Sequence, residues 1–597
     1  MTQKFNRWLP QVLSTLAFFY LLSALAFNPQ DAMAGIKKPK LIVSLVIDQF
    51  RADYLTRFES RFLPALSSPE QSPAKAKGTS KGTLGGFQYL MTQGAYYPFA
   101  QYDIFQCMTG PGHATILTGS YPYQSGISLN DWFDSKSQKK IYCVEDSKTQ
   151  LVSSQPEEKP QSGMSPRHLI GSTFGDELKS VHTSSRVISL ALKDRAAILM
   201  GGHSADLALW LNDKTQQWVS STYYLSNKPL PAWVTALNQK TGALFQNPFD
   251  SSLSPSPAAA TLVPQEGSQQ AASGSMSPSL SAEDALLEKS KKELLATEQA
   301  AEAAIQAYGL GQGETTDVLA VSFSSHDYLG HALGPNQPQM EEITVTEDRI
   351  VSRLLNFLNT QIPGGLNEVV ITLTADHGAP PHPMWAQAHK IPAGRFSEKE
   401  LGDRLSEHLE TRFGKLEGEK AIAFVKDFNF YFNPNWIQGK KLNLTEVETE
   451  GKAFLEKKPE AAFVVTTSDY INRKLPPGIL ERQILHGYYK GRNGDLIFIP
   501  KPFFMPGPNQ DANITHLTGY SYDRSVPLIL TGHPFKPGVY AQRAEVVDLA
   551  PTLSFITQVL APSLSEGRVL NEALVPLELN PESSRSPLRT GKKLPRT

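Results

Sequence analysis

The sequence predicts an α/β fold in which helices flank a central, mostly parallel sheet. Short, continuous apolar runs such as Leu-Ile-Val-Ser-Leu-Val-Ile at 41–47 are typical of strands that a sheet buries on both faces. Longer stretches rich in Ala, Leu, Glu and Lys separate these runs. The clearest, at 281–308, predicts a long helix with Gly309 as its C-cap. Strands that alternate with helices in this way indicate a parallel sheet covered by helices.

Five apolar runs are predicted to be strands, and polar side chains that can do chemistry accompany them. The runs are 40–47, 186–192, 317–324, 368–374 and 526–531. The polar residues at or near their ends are Asp48, Lys193, Arg195, Asp327, Asp376 and His377, and His516 precedes the last run. Sites in open α/β sheets form outside the carboxyl ends of the strands, so we expect these residues to assemble one site.

The composition and the N-terminus restrict the class of protein and its compartment. The chain is globular in composition, with 40% hydrophobic and 19% charged residues, and its net charge of -1 gives no basic excess for nucleic acid. Lys4 and Arg7 precede an apolar run at 9–27 and Ala32-Met33-Ala34, which is the pattern of a cleaved signal peptide over 1–34. We expect a periplasmic or secreted protein with no stable membrane insertion after cleavage. An uncleaved anchor is the alternative.

Most of the remaining chain is expected to form one catalytic domain with insertions. Ser, Pro, Ala and Gln predominate in one segment, charged helical patterns mix with short strands in another, and the C-terminus is rich in Ser, Pro, Arg and Lys. The predicted divisions are residues 35–579 for the catalytic domain, 247–280 for a flexible insertion, 396–503 for an inserted cap region and 580–597 for a disordered tail.

Thr109 stands just before Gly110-Pro111-Gly112, where a helix is predicted at 113–117. A hydroxyl at a helix N-terminus faces free backbone N–H groups and the positive end of the helix dipole, which suits a nucleophile that attacks an anion. The alternative role is an ordinary helix cap. A disulfide between Cys107 and Cys143 would tie this turn to the next segment, and two free thiols are the alternative.

Three aspartates and three histidines of the predicted site have the donor atoms of a metal centre. They are Asp48, Asp327, His331, Asp376, His377 and His516. Asp327 and His331 are one helical turn apart and so share a face of a helix. Mixed oxygen and nitrogen donors suit two Zn²⁺ ions per chain, and a pair of such ions can clamp the attacking and leaving oxygens of a displacement.

These motifs resemble the alkaline phosphatase superfamily. The matching segments are Thr109-Gly-Pro-Gly-His, Thr118-Gly-Ser, Asp327-Tyr-Leu-Gly-His331, Thr374-Ala-Asp376-His377-Gly and Val547-Asp-Leu-Ala-Pro-Thr552. Ser189-Leu-Ala-Leu-Lys193-Asp-Arg195 and Asn130 are most similar to the secreted, monomeric members with a threonine nucleophile, the PafA type. The resemblance extends from Leu41 to near Leu570 and implies an alkaline-phosphatase-like fold with cap-like insertions.

The resemblance also implies a role for each residue of the site. One zinc would be held by Asp327, His331 and His516, and the other by Asp48, Asp376, His377 and Thr109. Thr109 would be the nucleophile, and Asn130, Lys193 and Arg195 would bind the non-bridging phosphate oxygens.

The function implied is that of a monomeric alkaline phosphatase that acts through a phosphothreonine and releases inorganic phosphate. Its expected substrates are small phosphate monoesters, such as sugar phosphates, nucleotides and aryl phosphates. The alternative on the same fold is a phosphodiesterase or nucleotide pyrophosphatase. The cationic pair Lys193 and Arg195 favours the monoester, because a monoester carries one more negative charge than a diester. A non-catalytic binding protein is the alternative from another class.

Overall fold

The first strand, Leu41–Ile47, lies at the centre of the sheet, and all seven of its side chains are buried. It pairs in parallel with Asp317–Phe323 on one side and with Val369–Thr374 on the other. Both pairings extend to the carboxyl end of the strand, so the residues that follow the three strands meet at one edge of the sheet. The computed structural model describes residues 37–67, 83–154, 161–247, 249, 281–508 and 513–576.

The described strands are numbered in chain order. They are β1 Leu41–Ile47, β2 Leu66–Ser67, β3 Thr83–Leu84, β4 Gly94–Tyr97, β5 Asp131–Asp134, β6 Lys139–Tyr142, β7 Glu145–Val152, β8 Ser162–Met164, β9 Val187–Ala191, β10 Leu207–Asn212, β11 Gln217–Ser221, β12 Asp317–Phe323, β13 Val369–Thr374, β14 Gly394–Phe396, β15 Ile422–Lys426, β16 Asn429–Phe432, β17 Ala461–Thr466, β18 Leu496–Pro500, β19 Phe504–Pro506, β20 Leu528–Thr531 and β21 Gly538–Val539.

Eleven of these strands form the main sheet, in the order β21-β4-β20-β13-β1-β12-β9-β10-β11-β7-β8. The five strands from β13 to β10 are parallel, and antiparallel pairings extend the sheet on both sides. This arrangement confirms the predicted α/β fold with a parallel centre. The predicted strand at 526–531 begins later, at Leu528, directly after Pro527, which has no N–H to donate to a neighbouring strand.

Helices cover the sheet. Those of the described residues are Tyr54–Arg57, Phe87–Gln93, Thr109–Thr118, Pro122–Ser125, Phe174–Val181, Asp194–Gly201, Thr222–Leu225, Ala232–Gln246, Ala282–Tyr308, Ser325–Leu333, Pro338–Gln361, Pro383–Ala388, Glu398–Phe413, Pro434–Gly439, Leu444–Leu455, Thr467–Ile471, Ile479–Gly487, Ser521–Arg524 and Leu549–Thr557, with 3-10 turns at Glu59–Arg61, Gly365–Glu368, Val546–Asp548 and Asn571–Ala573. None of the described helices is both long and apolar enough to cross a bilayer.

The helix predicted at 113–117 begins four residues earlier, at Thr109. Pro111 is then the third residue of the helix. The first four N–H groups of a helix have no partner within it, so a proline there removes no hydrogen bond. The long helix expected at 281–308 is present as Ala282–Tyr308, with the Ser281 side chain as its N-cap and Gly309 in the left-handed conformation after it.

Residues 396–503 contain a second sheet of four antiparallel strands, β15-β16-β18-β17. Phe428 and Phe430 of this region share a buried hydrophobic cluster with Met108, the residue before Thr109. The predicted signal peptide 1–34, the tail 580–597 and, apart from residues 247 and 249, the insertion 247–280 lie outside the described residues.

Candidate active site

Three aspartates meet at the carboxyl edge of the sheet because each lies just beyond a central strand. Asp48 directly follows β1, and Asp376 follows β13 after one residue. Asp327 lies in the first turn of the helix Ser325–Leu333, which begins two residues after β12. All three carboxylates are buried. Buried carboxylates this close together need positive partners, since burial of an uncompensated charge is costly.

The first group of donors consists of Asp327, His331 and His516. The Oδ1 atom of Asp327 lies 3.2 Å from Nε2 of His331 and 3.9 Å from Nε2 of His516. The helix brings the first pair together, since residues four apart lie on one face. His516 comes from a segment that is almost 190 residues away in the chain, so only the tertiary fold adds it to this group.

The second group consists of Asp48, Asp376 and His377. Nε2 of His377 lies 3.5 Å from Oδ1 of Asp48 and 3.4 Å from Oδ2 of Asp376. His377 also stacks on His516, with ring centroids 3.5 Å apart. Ligand atoms of Asp327, His377 and His516 lie within 4.8 Å of one another, so His377 stands between the two groups.

The backbone sets the protonation of the three imidazoles. Each Nδ1 atom contacts a backbone carbonyl oxygen. The distance is 2.7 Å from His331 to Ile514, 3.0 Å from His377 to Gly378 and 2.7 Å from His516 to Cys107. A carbonyl only accepts hydrogen bonds, so Nδ1 must carry the proton. Each Nε2 then presents a lone pair to the carboxylates. A protonated Nδ1 held by an outer partner is the usual arrangement of a metal-binding histidine.

Burial and neighbouring charges shift the pKa of one carboxylate and of one imidazole of the site in opposite directions. Burial, together with the neighbouring carboxylates of Asp327 and Asp376, raises the pKa of Asp48 well above its usual value. Burial, together with the imidazoles of His377 and His331, lowers the pKa of His516 well below its usual value. Crowded carboxylates beside the neutral imidazole of His516 form a site that attracts a cation.

The two groups fit metal ions by their donor chemistry. Oδ1 of Asp48 and Nε2 of His377 are buried, and no hydrogen-bond partner lies within reach of them among the described residues. Such atoms are costly to bury unless something binds them. Carboxylate oxygens and neutral imidazole nitrogens are the mixed donors that Zn²⁺ accepts. The six aspartates and histidines predicted from the sequence to bind metal therefore lie in these two groups.

The Thr109 helix reaches the cluster because two of its residues have no side chain. A Cβ atom on Gly112 would lie 2.3 Å from the carbonyl oxygen of Asp376, and one on Gly110 would lie 2.8 Å from Oδ1 of Asn130. The helix N-terminus can therefore approach both the second metal group and Asn130. Thr109 is the first residue of this helix and is buried.

The three predicted phosphate-binding residues surround Thr109 and the metal groups. Nη2 of Arg195 donates to Oγ1 of Thr109 at 3.3 Å, and Oδ1 of Asn130 accepts from the Gly110 N–H at 2.7 Å. Nζ of Lys193 lies 2.6 Å from Oδ2 of Asp48 and 2.5 Å from Oδ2 of Asp327. Lys193 thus bridges one carboxylate of each metal group. The site has a hydroxyl at a helix N-terminus and two cations beside it.

Further side chains hold the residues of the site in place, and of these Tyr142 and Gln49 were not predicted from the sequence. Nδ1 of His113 lies 3.1 Å from Oδ2 of Asp376, and its Nε2 lies 2.8 Å from Oγ of Ser322. The Tyr142 hydroxyl donates to Asp194 at 2.6 Å and accepts from Nη1 of Arg195 at 3.3 Å. Gln49 donates hydrogen bonds to Asp327 and Asp376. Its only signal in the sequence is its position directly after Asp48.

The two cysteines are separate, buried thiols, so the disulfide considered from the sequence does not form. Cys143 lies beside the site, because a Cβ atom on Gly110 would be 3.4 Å from its Sγ. Burial raises the pKa of both thiols, so they remain protonated and act as small apolar side chains.

A parallel-centred sheet with aspartates and histidines gathered beyond its strands, and a threonine helix beside them, agrees with the fold that the resemblance to the alkaline phosphatase superfamily implied. The chain belongs to the type I phosphodiesterase / nucleotide pyrophosphatase family, whose sequence model matches residues 74–506.

Three relatives are similar over most of the chain. Alkaline phosphatase PafA from Elizabethkingia meningoseptica is 30% identical, and the match covers 90% of this chain and 95% of that protein. A calcium-transporting ATPase from Myroides odoratus is 30% identical, with 94% and 98% covered. Alkaline phosphatase PhoV from Synechococcus elongatus is 31% identical, with 90% and 94% covered.

The fold is also similar to a crystal structure of wild-type PafA. The TM-score is 0.77 at 29% identity, and the match covers 90% of this chain and 100% of that chain.

Proposed function

We propose that this protein is an alkaline phosphatase that hydrolyses phosphate monoesters through a covalent phosphothreonine on Thr109. The observation that carries the proposal is the contact between Nη2 of Arg195 and Oγ1 of Thr109 at the N-terminus of a helix, beside the two groups of metal ligands. A nucleophile, a phosphate-binding cation and metal ligands are the parts that phosphoryl transfer requires.

The chain's own residues account for the binding and orientation of the ester. Arg195 offers a forked set of donors to two non-bridging oxygens, and the free N–H groups of the helix N-terminus favour an anion in front of Thr109. Lys193 adds a second positive charge. Although burial opposes that charge, the carboxylates of Asp327 and Asp48 raise the pKa of Lys193 above its usual value, so it stays protonated.

The reaction consists of two displacements at phosphorus. Oγ1 of Thr109 attacks, so a bond forms between this oxygen and phosphorus, and the bond to the ester oxygen breaks to release the alcohol. Water then attacks the phosphothreonine, which frees Thr109 and inorganic phosphate. Two zinc ions would lower the pKa of the attacking hydroxyl and stabilise negative charge on the leaving oxygen. One would be held by Asp327, His331 and His516, and the other by Asp48, Asp376, His377 and Thr109.

The relatives support this assignment. PafA and PhoV are both named alkaline phosphatases. A PafA mutant whose structure is known carries substitutions at a threonine and an asparagine 21 residues apart, and at a lysine and an arginine two residues apart. Thr109 and Asn130 here, and likewise Lys193 and Arg195, have the same separations.

The second candidate is a phosphodiesterase or nucleotide pyrophosphatase, which the name of the matched family favours. The two activities differ in what must be bound. A diester has one negative charge fewer and a second organic group, so two cations beside the nucleophile stabilise it less than they stabilise a monoester. Lys193 and Arg195 are therefore the residues that separate the candidates.

The finer parts of the proposal follow from the sequence. The substrates are small monoesters such as sugar phosphates, nucleotides and aryl phosphates, and the chain acts as a monomer. Residues 1–34 are a cleaved signal peptide, which makes the protein periplasmic or secreted. Residues 35–579 form the catalytic domain, with an inserted cap region at 396–503.

The decisive experiment measures kcat/KM of the zinc-loaded protein on an aryl phosphate and on the matching methyl aryl diester. We expect a strong monoester preference. Thr109→Ala should lose on the order of 10³-fold or more on both esters, because it removes the nucleophile. Lys193→Ala/Arg195→Ala should lose on the order of 10²-fold or more on the monoester and much less on the diester.

Other outcomes would change the assignment. A wild-type preference for the diester would make the protein a phosphodiesterase. Full activity of Thr109→Ala would exclude the covalent route. A protein that binds no zinc and cleaves neither ester would be a binding protein on this fold. Lys228→Ala is the matched control, since this exposed lysine follows the helix Thr222–Leu225 and should leave both rates unchanged.

A further inference from the structure

Gln49 has an unusual backbone conformation for a glutamine. Its φ of 67° is in the left-handed region, although it is not a glycine, and its side chain is buried. Residues other than glycine adopt this region rarely, and they keep it where the surrounding structure holds them there. Gln49 directly follows Asp48, at the point where β1 ends and the site begins.

The left-handed turn directs the two donors of Gln49 to different metal groups. Its backbone N–H donates to Oδ1 of Asp376 at 3.1 Å. Its side-chain Nε2 donates to Oδ1 of Asp327 at 2.7 Å. Asp376 belongs to the second metal group and Asp327 to the first, so one residue contacts a carboxylate of each.

Gly330 packs against the side-chain amide of Gln49. A Cβ atom on Gly330 would lie 2.0 Å from Oε1 of Gln49, which no real pair of atoms tolerates. Gly330 lies within the helix Ser325–Leu333 that carries Asp327 and His331. A glycine inside a helix is unfavourable by itself, so its place here is explained by the amide that packs against it.

We infer that Gln49 is a positioning residue whose amide holds the carboxylate of Asp327, so that the first metal position depends on it. This inference rests on the metal binding in the proposed function. A carboxylate that binds a metal is itself held by outer hydrogen bonds, and the loss of such a partner typically lowers metal affinity about 10- to 100-fold. The second metal position depends on Gln49 only through its backbone N–H, which a change of side chain preserves.

The test measures how many zinc ions the purified full-length protein retains, and how tightly, by competition with a chelator of known affinity. Gln49→Met keeps the length of the side chain and removes its donor. Gly330→Ala keeps the amide and displaces it. We expect each variant to bind one of its two ions about tenfold or more weakly and the other as in the wild type. Cobalt-substituted samples should show the change in the absorption of one ion only.

The double variant separates this role from a general loss of packing. Because both changes break the same contact, Gln49→Met/Gly330→Ala should bind metal no more weakly than Gln49→Met alone. Gly242→Ala is the control for a helical glycine, since a Cβ atom there would meet nothing within 4 Å, and its metal binding should equal that of the wild type.

Three results would overturn the inference. The first is an unchanged affinity for both ions in Gln49→Met and in Gly330→Ala. The second is an equal loss of affinity for both ions. The third is a double variant in which the two losses of affinity are fully additive. If one variant does not fold, the other still decides the question. A wild-type protein that binds no zinc would instead refute the metal part of the proposed function, so the two failures are distinguishable.

Discussion

Tyr142 shows how one side chain controls the orientation of another in this site. Its hydroxyl donates to Asp194 and accepts from Arg195, whose other terminal nitrogen contacts Thr109. Burial, together with the Asp194 carboxylate, raises the pKa of Tyr142 well above its usual value, so the hydroxyl keeps its proton. Arg195 is thereby held over the nucleophile by a neutral phenol.

Removal of this hydroxyl should weaken catalysis without unfolding the protein. We expect Tyr142→Phe to lower kcat/KM for a monoester about tenfold, because Arg195 loses a partner that orients it, and to affect a diester less. Steady-state kinetics on both esters provides the measurement. Tyr224→Phe is the control, since the Tyr224 hydroxyl donates to the carbonyl of Gly202. Equal losses in the two variants would show that the effect is not specific to Arg195.

The sequence indicated the residues that lie next to strand ends, but it did not indicate Tyr142 and Gln49. Asp48, Asp327 and Asp376 follow apolar runs, so their meeting at one edge could be predicted. Tyr142 and Gln49 contact residues far away in the chain, and neither belongs to a motif. No local pattern reports a hydrogen bond between Gln49 and Asp327, 278 residues later.

At the scale of elements, the helix Thr109–Thr118 depends on close contact with the loop after β13. Gly112 allows the helix to approach Asp376, and Pro111 occupies a position that has no N–H partner within the helix. The sequence indicated the helix and its threonine. It placed the start at residue 113, because Gly and Pro usually interrupt helices and their use in the first turn depends on what the helix touches.

Gly112→Ala should therefore damage both stability and activity. The added methyl group would lie 2.3 Å from the carbonyl oxygen of Asp376, so the helix must shift, at a cost of about 1–3 kcal/mol in the free energy of unfolding. Urea denaturation and the monoester assay measure the two effects. Gly242→Ala, in the open part of the helix Ala232–Gln246, should instead stabilise the protein by about 0.5–1 kcal/mol. A Gly112→Ala protein as stable as the wild type would refute the close contact.

At the scale of the whole molecule, a buried carboxylate joins the region 396–503 to the main sheet. Asp103 lies between β4 and the Thr109 helix. Its carboxylate pairs with Arg482 and His486 of the helix Ile479–Gly487, and Nη2 of Arg543 lies 3.5 Å from its Oδ2 atom. Burial alone would raise the pKa of Asp103, but hydrogen bonds from His486 and Arg482 lower it to about 2.

This pairing predicts how stability changes in acid. The pKa of Asp103 is lower in the folded than in the unfolded chain. The pairing therefore adds its full contribution to the free energy of unfolding above about pH 4, and this contribution is lost as the pH falls towards 2. Asp103→Asn should lower the free energy of unfolding by about 1–2 kcal/mol at pH 7, a value that allows for the partly exposed side chain of Arg482. This loss should become smaller between about pH 4 and about pH 2.

Urea denaturation of Asp103→Asn between pH 2 and 7 provides the measurement. Asp403→Asn is the control, since Asp403 pairs with Lys399 and Lys420 at the surface and should matter little. A cost of Asp103→Asn that does not change with pH would show that the side chain acts through packing and not through its charge.

The sequence by itself determined five strands of the main sheet, the long helix Ala282–Tyr308, the residue types at the strand ends and the threonine turn. These follow from local patterns, since burial on both faces demands apolar runs and a sharp turn demands glycine. The tertiary structure alone decided that Cys107 and Cys143 stay apart and that Gln49 and Tyr142 hold the site in shape. Those contacts depend on how distant segments pack, and packing is a property of the whole chain rather than of any stretch of it.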